Sequence, residues 1–243
     1  MNWVHYFERN RETRRTIPWE RGITVEPHVR NPLIRSLQRF QIGESGEGRH
    51  MKRGAARTGN AEYARAVHLF IEEEQYHSAI MGQALDLLGA PRLKRHWSDV
   101  FFVGLRRTMG LTCEVLVLLA AEVVGRNFFR TAYHGVDDAV LRAMLAQMID
   151  DEEAHVAFQA DHLRSVLQRM PAPMRFAVRL AWWAVYNGAF LVVVWDHRHL
   201  FRALQVSPTE FMSDCDGTYD DVCAVLFRHR VCAYPAVAGT RRG

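Results

Sequence analysis

The chain has 243 residues, of which 49% are hydrophobic and 24% charged, with a formal net charge of +4. That length suits one domain, or one domain with an elaboration, and the mixture excludes a disordered, low-complexity or fibrous chain. Four cysteines (Cys113, Cys215, Cys223, Cys232) form no CxxC pair and no zinc spacing, which excludes a disulfide scaffold and suits thiols in a reducing cytoplasm.

The N-terminus, MNWVHYFERNRETRR, has no apolar run after its charges and is not read as a signal peptide, so a cytoplasmic location is expected. Residues 1–29 show no sustained period and contain Pro18 and Pro27, which predicts an irregular N-terminal arm. Residues 1–57 carry twelve Lys/Arg against six Asp/Glu. This excess suits an acidic partner such as RNA, a carrier protein or an anionic substrate; an Arg-rich solvated surface is the plainer reading. Helical patterning then dominates, and an all-α fold follows. A first helix is predicted from about Pro32 to Arg57, weakened by Gly43, Gly46, Gly48 and Gly54. Thr58-Gly59-Asn60 makes a turn, with Asn60 capping a second helix that ends at Leu88-Gly89. Ser98 caps a third helix reaching about Tyr133, and Asp137 or Asp138 caps a fourth running to Met170. A fifth, apolar segment spans roughly Met174–Leu204. Its most hydrophobic stretch, Leu180–Trp195, falls short of the ~20 residues that span a bilayer, so a buried core helix is expected and membrane association is not. Ser207-Pro208 opens a shorter last helix, and the tail from Val231 is expected to fray.

Two helices carry the same tetrapeptide pattern. Glu74-Gln75-Tyr76-His77 and Glu152-Glu153-Ala154-His155 are both Glu-x-x-His, and residues i and i+3 share a helix face, so each motif offers a carboxylate and an imidazole to one ion. One such tetrapeptide means little. Here the surroundings repeat too: Ile71-Glu72-Glu73-Glu74 aligns with Ile149-Asp150-Asp151-Glu152 at an offset of 78 residues, which also relates Glu44 to Glu122. In an antiparallel helix pair, two residues lie level when the turn falls midway between them. The midpoint of 44 and 74 is Gly59, and that of 122 and 152 is Asp137, both already assigned to turns. Four carboxylates and two imidazoles would thus meet at one level of a bundle interior. Such a set is very costly to bury without a cation, and it suits two divalent first-row metals. Glu47 lies three residues after Glu44 on nearly the same face and is its rival. Glu114 reads as a surface or helix-entry carboxylate, Tyr76 as a packing residue, and Asp196, His197 and His199 as a polar helix end.

With these motifs the sequence resembles the ferritin-like di-iron carboxylate superfamily (rubrerythrins, ferritins and di-iron oxygenases) from Glu44 to about Leu167. The resemblance implies a four-helix bundle over 30–170, additional helices packing on it over 171–230, and a flexible tail over 231–243. It implies two Fe ions, with Mn/Fe or Mn/Mn as variants. Glu44, Glu74 and His77 would serve one ion and Glu122, Glu152 and His155 the other, with Glu74 and Glu152 in bridging positions. Asp151, and less surely Glu73, would hydrogen-bond a ligating histidine from behind. By the same resemblance the chain is expected to be an enzyme that activates O2 to oxidise a small organic or carrier-bound substrate. Its electrons would come from an external reductase or ferredoxin, because no flavin or nicotinamide fingerprint is visible. A homodimer is compatible with this reading. A ferroxidase, an iron-handling or peroxide-scavenging protein, and a tRNA-modifying hydroxylase are the alternatives.

Overall fold

The computed structural model describes residues 1–94, 96–97, 104 and 110–227. Its regular elements are all helical: α1 (Trp3–Glu12), a 3-10 turn (Trp19–Arg21), α2 (Pro27–Glu44), α3 (Arg49–Ala56), α4 (Ala61–Leu87), α5 (Gly110–Gly135), α6 (Ala139–Leu167), α7 (Ala172–Ala203) and α8 (Pro208–Phe227). The all-α expectation therefore holds. The predicted cap Ser98 and the predicted tail from Val231 lie outside the described residues.

Three predicted caps are in place. The Asn60 side chain accepts from Tyr63 N–H and that of Asp138 from Leu141 N–H, each at 2.9 Å. Ser207 Oγ accepts from Glu210 N–H while Glu210 returns a bond to Ser207 N–H, a reciprocal capping box. Gly59 takes φ 73° in the turn between α3 and α4, a conformation that costs glycine little. The turn between α5 and α6 thus falls where it brings residues 122 and 152 level, and the Gly59 turn is in its predicted place, although residues 44 and 74 are not joined by a simple helical hairpin.

Packing follows from the apolar faces. Helix α2 lies on α4, α5 on α6 and α4 on α6, while α7 covers α2 and α5 and α8 covers α5 and α6. One continuous core joins them, including Phe70, Met81, Leu119, Phe129, Met144 and Phe158.

Three expectations are corrected. The N-terminal arm is not irregular. Asn2 caps α1, whose Trp3, Phe7 and Asn10 follow at helical spacing. Phe7 is 2% exposed, and burying such a ring contributes about 2–3 kcal/mol. It packs edge-to-face on Phe158 of α6, and α1 as a whole lies along α4. The first helix, in turn, is two. It begins at Pro27, which as the first helical residue loses no hydrogen bond, and it breaks after Glu44. The break centres on Gly48, at φ 57°, where an added Cβ would sit 2.2 Å from Ile71 Cδ1. Finally, α7 is no buried core helix: only 17% of its most apolar window is buried.

Gly48→Ala meets both a left-handed backbone and the Ile71 side chain, whereas Gly59→Ala meets only the backbone penalty. We expect Gly48→Ala to lower stability by about 2–4 kcal/mol and Gly59→Ala by about 1 kcal/mol in denaturant unfolding. Equal losses would show that the close approach of α4 to this turn does not constrain it.

Candidate metal centre

The two Glu-x-x-His motifs face one another across α4 and α6. Glu74, His77, Glu152 and His155 each place a ligand atom within 4.8 Å of the others. Glu152 sits between the imidazoles, with Oε1 3.5 Å from His77 Nδ1 and Oε2 3.7 Å from His155 Nδ1. Glu74 Oε1 lies 3.0 Å from His155 Nδ1 and 3.9 Å from His77 Nδ1. Both histidines and Glu152 are buried.

Each ring is held from behind by the opposite motif. His77 Nε2 is 2.9 Å from Asp151 Oδ2, and His155 Nε2 is 3.0 Å from Glu73 Oε2. An Nε2–H donated to a carboxylate fixes the tautomer and aims the Nδ1 lone pair at the shared centre. Asp151 and Glu73, the acids preceding Glu152 and Glu74, thus take equivalent places.

The remaining acids flank this core. Glu44, the last residue of α2, sits beside Glu74, and Glu122 of α5 beside Glu152, with Glu122 Oε2 4.0 Å from His155 Nδ1. Gln159, one turn beyond His155, donates to Glu122 Oε1 at 3.0 Å. Glu47 does not join them. It is exposed past the end of α2 and pairs with Arg49. The structure therefore brings together Glu44, Glu74, His77, Glu122, Glu152 and His155, and leaves Glu47 out.

Several neighbours were not anticipated. The Asn10 amide of α1 donates to both Glu73 Oε1 (2.7 Å) and Asp151 Oδ1 (2.6 Å), bridging the two acids that hold the histidines. Gln147 donates to Asp151 Oδ1 at 2.8 Å and accepts from Arg15 N–H at 2.6 Å. Arg14 stacks on Tyr76, 3.6 Å from the ring centroid, and lies 3.9 Å from Glu73. A signal was available for Asn10: Trp3, Phe7 and Asn10 recur at intervals of four and three, one helix face.

Two smaller readings are overturned. Glu114 is buried rather than at the surface, and it meets His50 Nδ1 at 2.6 Å, a partner supplied by α3 that local spacing could not reveal. Asp196 and His197 are not a helix end, because α7 continues to Ala203. Both are buried: Arg39 donates to the Asp196 carbonyl, His197 Nδ1 sits 2.8 Å from Ser36 Oγ, and only His199 faces solvent.

The donor set fits metal ions. Glu74 Oε1, both Glu152 oxygens and the Nδ1 atoms of His77 and His155 are buried without a hydrogen-bond partner, although each lies close to the others. Buried polar atoms left unpaired are costly, and these converge on one point. Carboxylate oxygens with imidazole nitrogens suit divalent first-row metals. Beside the acids lies a cavity of about 160 Å³ lined by Phe40, Val117, Ala121, Phe129, Ala189 and Val193, together with Glu44, Glu74, Glu122 and Glu152.

Without a metal the cluster is held by protons. Burial pushes Glu44 and Glu122 well above the usual carboxylate range, and the neighbouring acids add to this. Burial alone would lower His77, but its contact with Asp151 and the nearby Glu152 carboxylate outweigh it and raise it to about 10. His155 is raised by the same balance, through Glu152, Glu73 and Glu74. Against their own burial, Glu152 is lowered by Glu122 and both histidines, Glu74 by His155 and Glu44, and Asp151 by His77.

Compared with known protein families, with characterised proteins and with solved structures, the chain has no match.

The protonated form of His77 stabilises the metal-free fold fully below its unfolded value of 6.5, and that contribution is lost as the pH rises through about 10. Raised Glu44, Glu122 and His155 act in the same sense. We expect the melting temperature of chelator-treated protein to fall by several degrees between neutral pH and pH ~10. Metal affinity should move the opposite way, rising with pH, since ligands must shed protons to bind. A flat alkaline melting profile would contradict this proton network.

Asn10→Ala removes the bridge between Glu73 and Asp151. We expect Zn(II) or Mn(II) affinity, measured by competition with a chelating dye, to drop roughly 10–100-fold while stoichiometry is kept. An unchanged affinity would show that α1 does not orient the histidines.

Proposed function

We propose that the chain is a ferritin-like bundle holding two metal ions, with iron the best fit, and that it is an O2-activating oxidoreductase. The observation that carries this reading is the placement of four carboxylates and two outward-braced imidazoles around one buried point, at the wall of an apolar cavity. Glu74, His77, Glu152 and His155, which lie closest together, would hold the ions, with Glu44 and Glu122 beside them as further ligands. Bound there, a pair of irons would supply the electrons that reduce O2.

The chain's own residues do the rest. Asp151 and Glu73 keep both imidazoles aimed inward, and Asn10 and Gln147 keep those acids in place. The cavity holds the molecule to be oxidised. An apolar space of about 150 Å³ accommodates benzene, so the substrate's reacting part is a single ring or a short alkyl segment. Arg39 and His197 also line this space and can meet a polar group on the substrate. Reducing equivalents come from a separate donor.

Anaerobic titration with Fe(II), followed by O2, tests the proposal. We expect about two irons per chain and a transient absorbance whose decay quickens with small apolar candidates. Glu152→Ala should lose both irons; retention of two would refute the assignment. Uptake of iron far beyond two per chain would instead support an iron-storing protein.

A further inference from the structure

Helix α7 presents an apolar face that nothing among the described residues covers. Phe176, Leu180, Trp183, Leu191 and Trp195 are each more than half exposed. At about 100° per residue they form one stripe, opposite the buried Trp182, Tyr186 and Leu200. No charge interrupts the sequence from Leu180 to Trp195. Beyond it the stripe is cationic: Arg198, which stacks on Trp195, and Arg202 lie on the same face. The one acid of the helix, Asp196, is buried. Asp216 of α8 lies on the far side, where it accepts from Tyr186.

We propose that α7 docks the protein on an anionic membrane surface, lying in the plane of the interface with the stripe among the acyl chains and the arginines among lipid phosphates. A helix with aromatic and aliphatic residues on one side and arginines at its margins has the composition for this. It does not cross the bilayer. Its other side is committed to the core against α2, α5 and α8, with Trp182 donating to the Leu116 carbonyl and His197 contacting Ser36. A second copy is the rival occupant. Two-fold antiparallel pairing of the stripes would set Arg198 and Arg202 of each copy against the apolar Phe176 end of the other, where the stripe offers no acid to meet them. Charge therefore favours lipid. The proposal is independent of the metal reading.

Co-sedimentation of the full chain with vesicles tests it, metal-loaded and metal-free. We expect binding at least about tenfold tighter to phosphatidylcholine vesicles containing ~30% phosphatidylglycerol than to phosphatidylcholine alone, weakening with salt. Leu180→Ser with Leu191→Ser, and separately Arg198→Gln with Arg202→Gln, should each reduce binding about tenfold or more while circular dichroism shows an unchanged fold. Failure of the native chain to bind anionic vesicles overturns the proposal. So does binding unaffected by either pair of substitutions. A dimer in sedimentation equilibrium that the two serine substitutions dissociate, without vesicle binding, assigns the face to a second copy instead.

Discussion

The crossed pair of contacts, His77 to Asp151 and His155 to Glu73, is what the rest of the structure depends on. Each joins α4 to α6, so neither helix can rotate or slide without uncoupling a buried histidine from a buried acid. Breaking one partner of such a pair leaves an uncompensated charge in the core and costs about 3–5 kcal/mol. The same contacts aim both Nδ1 atoms at Glu74 and Glu152. Register and chemistry are therefore set by one interaction. A slip of one residue along α6 would turn Asp151 off His77 and Glu152 off the centre together.

The N-terminal helix completes this arrangement from outside. Asp151 and Glu73 each have one oxygen on a histidine; the second oxygen of Asp151 also accepts from Gln147, and that of Glu73 would lack a hydrogen bond without Asn10. Asn10 satisfies both with a single amide. That amide reaches them because Phe7, one turn earlier, is wedged against Phe158 and faces the His155 ring. The helix that packs on α4 and, through Trp3 and Phe7, on α6 is near its C-terminal end part of the electrostatic balance of the centre. Asn suits the place because it donates to two buried acids without adding charge.

What could be read from the sequence follows from where the information is local. The Glu-x-x-His motifs, the acids before them and the turns at Gly59 and Asp137 depend on spacing within one helix or one hairpin, and residues 44, 74, 122 and 152 are brought together accordingly. The caps at Asn60, Asp138 and Ser207 are local too. Helix α1 was missed because two prolines further along made residues 1–29 look irregular as a block, although its own ten residues carry a cap and a periodic face. The break after Glu44 depends on Ile71 lying over Gly48, a contact between different elements. Glu114 depends in the same way on His50. Neither partner can be inferred from a single helix. The break also settles the placing of Glu44 against Glu47: ending α2 at Glu44 leaves its carboxylate beside Glu74, and the turn carries Glu47 out to Arg49.

Helix α7 shows why composition alone misplaces an apolar segment. A helix hydrophobic all round is expected in a core, yet one helix can serve different surroundings if its faces are separated. The inner side of α7 closes the core through Trp182, Tyr186 and Leu200 and, on the same face between them, lines the cavity through Ala189, Val193 and His197, whereas the Leu180, Leu191 and Trp195 side faces outward. The small Ala189 and Val193 leave room beside the carboxylates, and the large Tyr186 and Trp182 fill the core one and two turns earlier. The cavity and the outer stripe are then separated by a single helix, about 10 Å across. The apolar lining of the cavity and the exposed apolar stripe thus lie on opposite sides of α7, with Arg198 and Arg202 on the outer one, and the small side chains that open the cavity are free to be small because the outer face takes no part in closing the core.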